Sequence, residues 1–159
     1  MGAKGEELAK QFEAKAQEAT AVLEKLSDAD WKKVTEAEKW PVGVTAHHVA
    51  GAHEQIAGIV KTIASGQSMP HFTMDMLHAA NAKHAQEFAG VGKADTMALH
   101  KKGVAAAAAV VRGLSDEQLA KSGTVLAGAP AMSAEQIVTG ILINHINDHF
   151  GSIKKTVGA

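Results

Sequence analysis

His145 and His149 interrupt an otherwise apolar row near the C-terminal end of the sequence. Ile137, Ile141, His145, His149 and Ile153 recur every four residues, while Asn144, Asn147, Asp148 and Lys154 fall to the sides. Residues four apart are neighbours on one helical face, so the two imidazoles point the way the apolar side chains point. An unpartnered imidazole inside a core costs on the order of a few kcal/mol. Two rings can satisfy each other or nearby carbonyls. A divalent cation does better, taking a lone pair from each ring at about 2.0–2.1 Å. A helical His-x-x-x-His pair is the arrangement that zinc-protease helices use for this purpose.

Two ligands make a poor site. His48 supplies a third, because it stands on the apolar stripe Val44, His48, Ala52, Ile56, Ile59 and Ile63 of another segment. His47 is turned about 100° away on helical geometry, toward Gly51 and Glu54, and is the weaker candidate. His48, His145 and His149 together form a three-histidine set with room for water, the stoichiometry of catalytic rather than structural zinc. Nine histidines occur in all. His53, His71, His78, His84 and His100 read as surface or boundary residues, Asp148 as a solvated helix side, and Trp31 and Trp40 as wall and core. No second catalytic group and no cofactor-binding residue stands out.

These residues need helices to position them. The apolar spacing predicts a first helix over about Glu6–Leu26, a second over Val42–Ala64 opened by Trp40-Pro41, a third over Lys93–Leu114 and a fourth from the cap Ser133 to about Thr156. A short extra helix, Met74–Phe88, lies between the second and third. "SAEQ" at Ser133–Gln136 fits a capping box. "LSDADWKK" and "LSDEQLAK" echo one another after the first and third helices. No alternating Val/Ile/Thr/Tyr run marks a strand. The expected fold is all-α, a four-helix bundle with its apolar stripes facing inward.

The chain of 159 residues suits a single domain spanning 1–159. Its 16 Lys+Arg against 17 Asp+Glu give a net charge of −1, with no basic surplus for nucleic acid or an anionic membrane. Cysteine is absent, which excludes a disulfide framework and a thiol nucleophile of its own. No run approaches the ~18 apolar residues of a membrane span, and the charged start is unlike a secretion signal. The expectation is a soluble, cytoplasmic protein.

"WPVGVTAHHVAGAHE" (Trp40–Glu54) and "LINHINDHFGSI" (Leu142–Ile153) resemble the DinB-like family, whose pattern is a tryptophan, a helix with one histidine, and a much later helix with His-x-x-x-His. Helix order and spacing agree along nearly the whole chain. The resemblance implies an up-down-down-up-like bundle, often dimeric, with zinc or nickel held by His48, His145 and His149. The doubled His47-His48 leaves a one-residue ambiguity in that set. Family activities include transfer to or from low-molecular-weight thiols such as mycothiol and bacillithiol, and mycothiol-dependent maleylpyruvate isomerisation. A cation so held can activate a thiol, or instead polarise water for hydrolysis. With no cysteine in the chain, any thiol must arrive as a small-molecule cosubstrate. An anionic thiol wants cations, yet Arg112 is the only arginine. The alternatives are a non-catalytic, stress-related metal-binding dimer and a bundle whose histidines merely hydrogen-bond inside.

Overall fold

The computed structural model describes residues 2–159. Four long helices carry the architecture. They are α1 (Ala3–Lys25), α3 (Val42–Ala64), α5 (Lys93–Arg112), and a composite last helix made of α7 (Ala134–Ile137), a π-helical stretch (Val138–Ile143) and α8 (Asn144–Val157). α3 packs against α5 and α8, and α1 packs against the same two, so α1 and α3 stand diagonally across the bundle. The core is aliphatic and alanine-rich, with Phe12, Leu23, Val49, Val60, Ile63, Ala107, Val111, Leu142 and Ile153 among its fully buried members. The alanines of α5 let α1 and α3 approach closely, and alanine is also the strongest helix former. Arg112 is held across the α1–α5 seam by Glu6 and Glu13, at 2.6 and 2.5 Å.

The short elements follow from capping chemistry. Both echoed sequences become one-turn helices, α2 (Asp28–Lys32) and α6 (Asp116–Ala120), rather than simple turns. In each, the Ser hydroxyl accepts the third backbone N–H while that residue's side chain accepts from the Ser N–H: Ser27 with Asp30, Ser115 with Gln118. Ser133 and Gln136 form the same box at the start of α7. Two small antiparallel pairings, Ser122–Gly123 with Met132–Ser133 and the single bridge Val34 with Pro41, depart from an otherwise helical chain among the described residues.

The extra helix α4 (Met74–Glu87) is capped by Thr73, whose hydroxyl accepts the Met76 N–H at 3.1 Å. None of its side chains is fully buried. Its leading loop is tied down by two backbone bonds, Met69 N–H to Thr124 O at 3.0 Å and Ala127 N–H to Phe72 O at 2.8 Å. Among the described residues, no helix is long and apolar enough to cross a membrane.

The π stretch alters which residues face the core. A π turn takes an extra residue into the helix, so one face cannot be followed at constant spacing through residues 138–143. Leu142, Ile143, Ile146, Phe150 and Ile153 are buried, whereas Ile141, expected on the core row, is only half-buried. His145 and His149 consequently lie on the flank of α8 that meets α3.

Candidate metal centre

α3 supplies His48, and α8 supplies His145 and His149 one turn apart. Their candidate ligand nitrogens all lie within 4.8 Å of one another. His48 Nε2 faces His145 Nε2 at 3.1 Å. Two nitrogens held at about 2.0–2.1 Å from one cation, about 90–109° apart, stand about 2.8–3.4 Å from each other. The observed separation therefore fits a shared cation. Two neutral rings facing this way can otherwise share only one proton.

The surroundings suit neutral ligands. Burial, with the fields of His149 and His84, pushes His48 down to about 4. Burial and the neighbouring His149 and His48 push His145 down to about 3. A metal ligand must offer a lone pair, and these rings keep theirs well below neutral pH. Trp40 packs edge-on to His48 with ring centroids 5.3 Å apart, limiting the orientations that imidazole can take.

A glutamate that sequence reasoning missed sets the third ring. His149 Nδ1–H donates to Glu38 Oε2 at 2.7 Å, and the Ser152 hydroxyl donates to Glu38 Oε1, also at 2.7 Å. The carboxylate can only accept, so the neutral ring is protonated at Nδ1 and free at Nε2. Glu38 is 9% exposed in its side chain. Burial would raise its carboxyl, but hydrogen bonds from Ser152, Thr35 and His149 prevail and hold it below the ordinary glutamate value. The loop that delivers it is tight. Thr35 N–H bonds to Trp40 O at 2.8 Å, Lys39 N–H returns to Thr35 O at 3.1 Å, and Lys39 takes φ of 64°, in the left-handed region. Carboxylate–histidine–metal arrangements of this kind are worth about 10–100-fold in metal affinity. Glu38→Gln is expected to weaken binding within that range in a chelator competition; unchanged affinity would mean that Glu38 does not orient the ligand.

Asp148 is exposed and accepts from Asn144 at 3.3 Å, away from the rings. His47, by contrast, is 8% exposed and not solvated. Its Nδ1 lies 2.7 Å from Nε2 of His84, on α4. His84 is half-buried there, a boundary position as expected. His53 and His100, by contrast, are not boundary residues, being 1% exposed each. His53 Nε2 meets His100 Nδ1 at 3.1 Å, and His100 Nε2 reaches Ala16 O at 3.2 Å and Thr20 Oγ1 at 3.1 Å. Since the carbonyl accepts, His100 is protonated at Nε2 and His53 Nε2–H donates to His100. This relay ties α3 and α5 to α1. His71 and His78 are exposed, as expected.

Arg112 is committed to Glu6 and Glu13 on the α1–α5 seam. It is therefore not free to hold an anionic cosubstrate.

The family model described as the DinB superfamily matches residues 11–153. No curated protein sequence matches the chain. Among solved structures, a mycothiol-dependent maleylpyruvate isomerase superposes with a TM-score of 0.73 at 14% identity. A mutant of that isomerase gives 0.75 at 13%. Both cover 94% of this chain and 60% of theirs, so the chain spans about 60% of the isomerase's length. YfiT from Bacillus subtilis, described as "a probable metal-dependent hydrolase with an unusual four-helix bundle topology", gives 0.68 at 17%, covering 98% of this chain and 86% of its own. At these identities the likeness speaks for the fold.

Proposed function

The chain belongs to the DinB superfamily, and from that premise we propose that it is a metal-dependent enzyme in which His48, His145 and His149 hold one divalent cation, zinc or nickel. The observation that carries this reading is the convergence of three imidazoles from two helices within 4.8 Å, one of them fixed in its tautomer by Glu38. Imidazole nitrogens suit zinc and nickel alike. Three protein donors leave a coordination position for a small molecule.

Bound there, the cation would lower the pKa of a thiol or water so that its anion can attack an electrophile at neutral pH. The chain's own residues prepare the ground. His48, braced by Trp40, and His145 present neutral rings in a largely desolvated setting. Glu38 and Ser152 keep the third lone pair aimed inward. The absence of cysteine makes a thiol, where one is used, a low-molecular-weight cosubstrate. Thiol transfer is the preferred reaction and hydrolysis the second; the similar folds are those of a mycothiol-dependent isomerase and of a protein described as a probable metal-dependent hydrolase. A cytoplasmic setting and a homodimer, without nucleic-acid or membrane partner, belong to the same proposal.

Metal-loaded protein should conjugate at least one bacterial thiol to a small electrophile faster than buffer, or hydrolyse an activated ester or amide. Both activities should vanish on chelation and return on adding zinc or nickel. A protein that retains about one metal per chain and yet shows neither activity would favour the non-catalytic metal-binding reading.

A further inference from the structure

His84 stands apart from the three-histidine group in sequence and sits on α4, a helix with no fully buried side chain. Even so, one of its nitrogens is sealed. Its Nε2 is engaged with His47 Nδ1 at 2.7 Å, while its Nδ1 is closed off from solvent and has no hydrogen-bond partner. The ring stands edge-on to His48 with centroids 5.6 Å apart, against 4.8 and 5.0 Å from His48 to His145 and His149. Phe88 packs on His47 at 4.2 Å and on His84 at 4.9 Å, covering the pair.

The tautomer of the pairing with His47 sets what the sealed nitrogen can offer. When His84 Nε2–H donates to His47 Nδ1, the Nδ1 of His84 keeps its lone pair. His149 is arranged in the same sense: one ring nitrogen donates outward to Glu38 and the other stays free. A buried lone pair without a partner is costly, and a cation relieves it.

We infer that His84 is a fourth protein donor to the three-histidine centre, drawn in through Nδ1 when a divalent cation binds and released when a small-molecule ligand takes its place. The inference rests on the metal-centre reading given above. His84 is not within the group whose atoms lie inside 4.8 Å of one another, so α4 has to move inward to engage. Its position allows this. It packs on α3 without a fully buried anchor, and the chain beyond it is held at Val91, whose carbonyl accepts from Trp31 Nε1–H at 2.8 Å, so the helix can pivot about that end. The extra helix thereby shields the open coordination position with an exchangeable ligand until substrate arrives.

Cobalt(II) titration of the metal-free full chain tests this, since the visible bands report the number and type of donors. Wild type should bind about tenfold or more tightly than His84→Ala, with a different band intensity. Amides of residues 74–87 should gain exchange protection on cobalt addition in wild type and not in the variant. His78→Ala, exposed on the same helix, should match wild type. Alanine favours helix at either position, and circular dichroism confirms folding. Equal affinity and spectra for wild type and His84→Ala, or an equal loss in His78→Ala, would overturn the fourth-donor role. Wild type that takes up no cobalt would instead remove the three-histidine centre itself.

Discussion

His149→Ala purified without a histidine tag should contain less than about a tenth of the divalent metal found in wild type, which should hold about one equivalent per chain. Two effects act together. The centre falls from three imidazoles to two, below the three protein ligands that open zinc sites use. Glu38 also loses its histidine partner and is left as a largely buried carboxylate bonded only to the hydroxyls of Ser152 and Thr35, placing an uncompensated charge beside the remaining ligands. His145→Ala should behave alike through loss of the 3.1 Å pairing with His48. Elemental analysis after exhaustive dialysis gives the content. Stoichiometric metal surviving in either variant would reject the ligand set. Saturating metal should also raise the melting temperature of wild type and not of these variants, since ligand at about 1,000-fold over its Kd stabilises by about 4 kcal/mol.

Metal-free protein should lose stability steeply between about pH 6.5 and 5. His48 is pushed down to about 4, and His53 and His145 to about 3, chiefly by burial. In the unfolded chain the same rings titrate near about 6.5. Between those values the unfolded state binds protons that the folded state refuses. Unfolding is therefore favoured as pH falls through about 6.5, and the loss continues down to about 3–4. Each group contributes about 1.4 kcal/mol per pH unit in this window. Three groups amount to on the order of 5 kcal/mol at pH 5, comparable to the whole stability of many domains. Melting of chelator-treated protein from about pH 7.5 to 5 measures it directly. A melting temperature independent of pH would mean the imidazoles are not held neutral. Acid should also strip the loaded protein of metal, because protons compete for the same lone pairs.

His48, His145 and His149 were legible because each breaks an apolar row, and a polar side chain there demands an explanation. The helices were legible from the same periodicity, to within a few residues at their ends. His47 and His53 were not, and α3 shows why. It is buried on most of its circumference, Val42 to His47 without interruption, so a single stripe cannot describe it. Val49, Ala50 and His53 lie off the expected row and are buried all the same. Glu38 sits in a loop with no period to read; its nearness to Trp40 was the one available sign. His84 required knowing that α4 folds over α3, a long-range contact that leaves no local pattern.

The π-helical stretch Val138–Ile143 also sets the angular position of everything beyond it. A π turn takes one residue more than an α turn, so if the same six residues wound as α-helix, at about 100° per residue, the donors downstream would stand rotated around the axis relative to the anchored start. Every side chain needed to chelate could be present, and the cage would still fail to close. The irregular turn thus works as a dial, and the winding at that spot is as much a determinant of the centre as the identity of its imidazoles.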